Sequence, residues 1–206
     1  MSPPQEPKET VFVVDDDPAM RRSLVRLLRS GAFDAAAFES PEEFLRSVPP
    51  DATACAVLDV AMPGLDGLAL QRELSARGSG ISVVFLTGHG DIPKTVQAMR
   101  SGAVDFLAKP VEDEALLRAV RRALDASRAG QKARDELAEV GRRLAELTPR
   151  EREVLDLVAA GRLNKQIAAE LGIAEQTVKI HRGRVMEKMR AGSVAELVRL
   201  VDRRPG

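Results

Sequence analysis

Val11-Phe12-Val13-Val14-Asp15-Asp16-Asp17-Pro18 decides the fold class: four apolar residues in a row, three acids, then a proline. An apolar run without polar alternation marks a strand buried on both faces. Asp17 before Pro18 reads as the N-cap and first position of a helix. The same phrase of strand, turn and helix recurs along the first 124 residues. Strands are expected at 11–14, 35–38, 54–58, 81–86 and 104–107. Helix starts are expected at Asp17, at the Ser40-Pro41-Glu42-Glu43 capping box, at Asp66 before Gly67, and at Asp91 shortly before Pro93. Buried strands alternating with helices imply a doubly wound α/β domain on a five-stranded parallel sheet, and ligands of such sheets sit at the carboxyl ends of the strands.

Beyond residue 113 the pattern becomes helical. Leu116, Leu117, Val120 and Leu124 recur at helical spacing, then Leu137, Val140 and Leu144 within a charged stretch where Gly130 and Gly141 are weak points. Thr148-Pro149-Arg150-Glu151 restarts structure as a capping box. Four short helices are expected after it, at 149–160, 164–171, 175–190 and 193–203. The organisation is therefore an α/β domain over 10–124, a helical linker over 125–147 and a small all-α domain over 148–206.

The chain of 206 residues, 44% hydrophobic and 30% charged, is long enough for two small cores. Its 31 basic and 31 acidic residues cancel, but unevenly. Residues 1–124 carry 18 acids against 14 bases, 125–147 five of each, and 148–206 eight acids against 12 bases, so the three parts carry −4, 0 and +4. An acidic front and a basic tail suit a cation site followed by a polyanion site. A single cysteine, Cys55, excludes an intramolecular disulfide and a multi-cysteine zinc site, and reads as a core residue. With no Trp or Tyr, aromatic base-stacking platforms are unavailable. No apolar stretch reaches membrane-spanning length, and the polar 1–9 stretch carries no signal-like core, so a cytoplasmic location is expected.

Acids end the first and third strands (Asp15, Asp16, Asp59), a hydroxyl the fourth (Thr87) and a lysine the fifth (Lys109). Converging carboxylates repel unless a cation neutralises them, and an all-oxygen set suits Mg²⁺. A carboxylate nucleophile, metal ligands, a hydroxyl and an ammonium together form the equipment for phosphoryl transfer. Asp17 reads as a plain helix cap. His89, between Gly88 and Gly90, is given no catalytic role.

The stretches Val13-Val14-Asp15-Asp16-Asp17, Leu58-Asp59-Val60-Ala61-Met62-Pro63-Gly64-Leu65-Asp66-Gly67, Phe85-Leu86-Thr87-Gly88-His89-Gly90 and Val104-Asp105-Phe106-Leu107-Ala108-Lys109-Pro110 resemble the signatures of two-component receiver domains. The resemblance implies a flavodoxin-like sheet ordered 2-1-3-4-5 and Asp59 as phosphoacceptor from a sensor histidine kinase. It implies Mg²⁺ on Asp15, Asp16, Asp59 and the Ala61 carbonyl. Thr87 and Lys109 would contact the phosphoryl group, and Phe106 would swing inward when Thr87 moves. Ala61 departs from the longer polar side chain of many relatives, at a position that influences water near the phosphate. The face built by 93–100 and 104–107 would shift and pair two receivers. No separate enzymatic activity is implied beyond the receiver's own phosphotransfer and dephosphorylation.

Residues 164–178 read as helix, glycine turn, helix, with Ile167, Ala168, Leu171, Ile173 and Val178 inward. Leu147-Thr148-Pro149-Arg150-Glu151-Arg152-Glu153-Val154-Leu155, Asn164-Lys165-Gln166-Ile167-Ala168 and Thr177-Val178-Lys179-Ile180-His181-Arg182 resemble the LuxR-type helix-turn-helix, so the whole chain resembles FixJ/NarL-type response regulators. The residues expected at promoter DNA are Lys165, Gln176, Thr177, Lys179, Ile180, Arg182 and Arg184, with Lys188 and Arg190 further along the basic face. His181 reads as a packing residue or phosphate contact. A homodimer on phosphorylation is implied, with RNA polymerase as a further partner the architecture allows. The apolar stripe Val194, Leu197, Val198 and Val201 has two accounts: the resemblance implies that this helix pairs two such domains, and core packing alone explains it as well. Ala174 lacks the usual capping side chain, at a cost of roughly 1 kcal/mol. Gly183 costs the recognition helix about 1 kcal/mol relative to alanine; two accounts stand, a weak point or a close backbone approach to DNA.

Two rivals are defined by their chemistry. A phosphohydrolase working through an aspartyl phosphate needs a second acid close after the nucleophile, where this chain has Val60 and Ala61. A receiver serving only as a dimerisation scaffold has no use for the full set Asp15, Asp16, Asp59, Thr87 and Lys109.

Overall fold

A computed structural model describes residues 10–88 and 102–202. The expected helix start at Asp91, the 93–100 part of the proposed pairing face and His89 lie outside the described residues. Contacts divide the chain into two compact units, 1–131 and 132–206.

In the first unit the elements are β1 (Thr10–Val14), α1 (Pro18–Ser30), β2 (Asp34–Phe38), α2 (Pro41–Ser47), β3 (Ala54–Asp59), α3 (Gly67–Ala76), β4 (Ser82–Thr87) and β5 (Asp105–Ala108). The strands form one parallel sheet ordered β2-β1-β3-β4-β5, the expected arrangement. Every residue of the central strand β3 is buried, which is why its sequence shows no alternation. Side chains alternate between two cores. On one face Val11, Val13, Cys55, Val57, Val84 and Leu86 pack with Leu24 and Leu28 of α1 and with Leu116, Val120 and Leu124 of the next helix. On the other, Val14, Leu58, Val83 and Phe85 pack with Phe44 of α2 and with Leu68, Leu70 and Leu74 of α3. Caps start the helices as the sequence indicates. Asp17 Oδ1 accepts from Ala19 N at 2.7 Å, Ser40 Oγ from Glu43 N at 3.2 Å, and Asp66 Oδ1 from Ala69 N at 2.7 Å.

The helix α4 runs without a break over Asp113–Ala145, through Gly130 and Gly141, and the division between units falls within it. Its first half is held to the sheet by Ser127, whose buried hydroxyl accepts from Ala54 N at 3.1 Å and donates to Gly80 O at 2.6 Å.

The second unit adds α5 (Pro149–Ala159), α6 (Asn164–Leu171), α7 (Glu175–Met189) and α8 (Val194–Asp202). Val140, Leu144, Val154, Leu155, Ile167, Val178, Val185, Met189, Leu197 and Val201 make its core. The Thr148 capping box is formed: Thr148 Oγ1 accepts from Glu151 N, and Glu151 Oε2 accepts from Thr148 N at 3.0 Å. Gly172, with φ of 65°, ends α6 in the left-handed region and turns the chain into α7. Ala174 precedes α7 without a side-chain cap.

Candidate functional site

Parallel register delivers the chemistry to one edge of the sheet. Val14 lies opposite Leu58 and Asp59 opposite Leu86, so Asp15, just past β1, and Asp59, the last residue of β3, stand at one level. Thr87 lies opposite Ala108, with Lys109 next in the chain. Carboxylate oxygens of Asp15, Asp16 and Asp59 lie within 4.8 Å of one another, Asp15 and Asp59 buried and Asp16 exposed. Lys109 Nζ sits between the buried pair, 2.8 Å from Asp15 Oδ2 and 3.1 Å from Asp59 Oδ1.

Three carboxylates against one ammonium leave two negative charges in a partly buried pocket. Burial pushes the Asp59 carboxyl above its ordinary value, and the charge of Asp15 adds to the rise; the hydrogen bond and charge of Lys109 and the Ala61 backbone N–H oppose it. Burial also opposes the charge on Lys109, but its bonds to Asp15 and Asp59 outweigh that and hold its pKa above the ordinary lysine value. The donor set fits a hard divalent cation: all oxygen, excess negative, and open to solvent on the Asp16 side.

Thr87 is 5% exposed and its Oγ1 donates to Gly88 O at 3.1 Å. Phe106 is half-buried with its ring centroid 6.0 Å from that of Phe85. Ala61 is exposed and places no side-chain polar atom over the pocket. Gly67, part of the receiver-like stretch but given no role there, is also a site residue. A Cβ there would stand 2.2 Å from Asp59 O, so the first turn of α3 can lie against the Asp59 backbone only because residue 67 has no side chain. Its signal in the sequence is its place after the Asp66 cap, at the end of the receiver-like stretch.

In the second unit Lys165, Gln176, Lys179, Ile180 and Arg184 are exposed and Thr177 is half-buried. Arg182 is half-buried and its Nη1 donates to Asn164 Oδ1, tying α7 to the start of α6. Lys188, placed by the sequence reading on the basic face, is engaged elsewhere: Nζ donates to Glu151 Oε2 at 2.7 Å and to Glu146 O at 3.0 Å. That hydrogen bond and the Thr148 N–H hold the Glu151 carboxyl down to about 2. His181 is half-buried, with a buried Nδ1 that has no hydrogen-bond partner among the described residues. No described helix is long and apolar enough to cross a membrane.

Comparison with known proteins agrees with both halves. Residues 11–121 match the model of the response regulator receiver domain, and residues 145–201 that of the luxR family of bacterial regulatory proteins. The chain is 53% identical over 195 residues to nodulation protein W of Bradyrhizobium diazoefficiens, covering 95% of this chain and 86% of that one. It is 46% identical over 190 residues to the transcriptional regulatory protein FixJ of Azorhizobium caulinodans, covering 92% and 90%. Among solved structures, the response regulator StyR is 47% identical, with a TM-score of 0.84 over 96% of this chain and 100% of that one.

Proposed function

The chain belongs to the response regulators that join a receiver domain to a LuxR-type DNA-binding domain, and from that premise we propose that Asp59 accepts the phosphoryl group and that the outward side of α7 reads promoter DNA. The protein is a two-component transcriptional regulator. The observation that carries the Asp59 reading is a buried carboxylate sharing one lysine with a second buried acid, beside a third that is exposed.

An Asp59 oxygen attacks the phosphorus of the kinase phosphohistidine as the phosphorus–nitrogen bond breaks, and the leaving imidazole takes up a proton. Lys109 gives up its hold on the carboxylate to follow the charge onto the phosphoryl oxygens. Thr87 turns its hydroxyl from Gly88 O to the same group, and Phe106 moves into the space vacated. Mg²⁺ would be held by Asp15, Asp16, Asp59 and the Ala61 carbonyl, where it supplies charge neutralisation for the incoming phosphoryl group. Loss of the phosphoryl group to water, also the receiver's own doing, resets the domain.

Activated receivers pair, which presents two copies of α7 to half-sites about one helical turn apart. Lys165, Gln176, Thr177, Lys179, Ile180, Arg182 and Arg184 form the DNA-facing set, with RNA polymerase a contact at the promoter. The protein works in the cytoplasm, where its DNA lies. The test is incorporation of phosphate from acetyl phosphate, read by intact mass. Wild type gains one phosphoryl group, Asp59→Ala gains none, and Asp16→Ala is slowed and loses its dependence on Mg²⁺. Labelling of Asp59→Ala at the wild-type rate would move the acceptor elsewhere.

A further inference from the structure

Gly183 stands inside α7, exposed, and among the described residues no atom other than its chain neighbours and the adjoining helix backbone lies within 4 Å of the place a Cβ would take. Its φ is not positive. Three other glycines of this chain have a reason on the protein's own side. At Gly67 a Cβ would strike backbone, at Gly31 it would stand 2.7 Å from Leu117 Cδ2, and Gly172 adopts a left-handed φ. At 183 neither packing nor backbone geometry calls for glycine, while helix propensity argues against it.

The position on the helix supplies a reason. Gln176, Ile180, Gly183 and Glu187, spaced four, three and four, share one side of α7, and all four are exposed. The opposite side is the buried row Val178, Val185 and Met189. Gly183 is thus among the residues of α7 farthest from the core. Exposed Lys179 and Arg184 flank this line, one on each side. A helix whose outermost line dips to bare backbone at its middle, between two cations, is shaped to lie against a surface that carries anionic walls.

We infer that Gly183 is a positioning residue for DNA binding: its missing side chain lets the backbone of α7 approach the base-pair edges of the major groove, bringing Gln176 and Ile180 to the bases while Lys179 and Arg184 reach phosphates on either side. The inference rests on the reading of α7 as the DNA-facing helix. Gly141, inside α4 with equally open space around it, is the internal control.

The experiment uses the full chain with Mg²⁺ and beryllofluoride, and a duplex that the wild type selects from a randomised pool. Gly183→Ala and Gly141→Ala both raise the melting temperature of the second unit, by roughly 4 °C or more. Gly141→Ala binds the selected duplex as wild type does, whereas Gly183→Ala loses tenfold or more in affinity. Stability and binding thus move in opposite directions at 183, which a structural role for the glycine would not produce. Wild-type affinity in Gly183→Ala, or a fall in its melting temperature, overturns the inference. Lys179→Ala separates the two readings. If it weakens binding while Gly183→Ala does not, only the glycine assignment falls. If it binds like wild type, the assignment of α7 as the DNA-facing helix falls, and this inference with it.

Discussion

Replacing Lys188 with methionine removes the cation from a carboxylate that is almost wholly buried. Glu151 has a side chain 3% exposed, and its Oε2 receives Lys188 Nζ at 2.7 Å and Thr148 N at 3.0 Å. Removing one partner of a fully buried ion pair costs about 3–5 kcal/mol. Lys188 keeps 32% of its side chain in solvent, and Glu151 retains the Thr148 N–H, so the expected cost is about 2 kcal/mol, below that range. This corresponds to an opening constant about 30-fold larger. Hydrogen exchange read by mass spectrometry localises the effect: amides of α5 and α7 should exchange about 30-fold faster at pH 7, with those of the sheet unchanged. The pH dependence has a definite sign. Glu151 is held at about 2 in the folded chain against an ordinary 4.5. Its contribution is therefore complete above 4.5 and fades as the pH falls toward 2, and the gap between wild type and Lys188→Met closes over the same interval. DNA binding gives an independent reading. Lys179→Ala should reduce the log-log salt slope by about 0.9, and Lys188→Met should leave it unchanged. Exchange at the wild-type rate, together with a reduced salt slope in Lys188→Met, would refute the reasoning and return Lys188 to the DNA face.

Gly67→Ala forces a methyl group against Asp59 O, for which the built distance is 2.2 Å. A cost of about 1–3 kcal/mol in thermal stability is expected, with labelling by acetyl phosphate slowed about tenfold or more; wild-type labelling would show that the backbone at Asp59 tolerates displacement. Ser127→Ala strands the Ala54 N–H and the Gly80 carbonyl, both now bonded to its buried hydroxyl. At about 1–3 kcal/mol for each buried group left unpaired, urea unfolding of the first unit should register a loss of about 2–6 kcal/mol, and an unshifted midpoint would contradict the bond network. Millimolar Mg²⁺ should raise the melting temperature of wild type, and far less that of Asp16→Ala; equal shifts would place the cation elsewhere.

What the sequence makes legible depends on how local the determinant is. The unbroken apolar run 54–58 identifies β3 as a buried parallel strand because burial on both faces removes alternation, and all of it is buried. Asp17, Ser40, Asp66 and Thr148 are visible as caps because a cap acts within three residues. The acids and lysine at strand ends are visible too, since a parallel sheet sends every carboxyl end to one edge. Partners that meet only through the fold are not legible. Glu151 can be read as a capping residue, but nothing near it signals Lys188, 37 positions on. The attachment of Ser127 to residues 47 and 73 positions away is hidden for the same reason. So is the collision at Gly67, which depends on how α3 approaches the end of β3. Arg182 has the look of a free cation in sequence, and is bonded to Asn164 because the glycine turn at 172 folds α7 back on α6.

The central claim is that the phosphoryl state of Asp59 controls how strongly the second unit holds DNA. The most direct measurement is the affinity of the full chain for a duplex selected from a randomised pool, with and without beryllofluoride in the presence of Mg²⁺, on wild type and on Asp59→Ala, with mass followed by light scattering. Wild type should shift toward dimer mass and gain roughly 10²-fold in affinity, since pairing turns the second half-site contact into an intramolecular one. Asp59→Ala should remain monomeric at the weak affinity. An equal gain in Asp59→Ala, or an activated wild type with unchanged mass and affinity, would contradict the account.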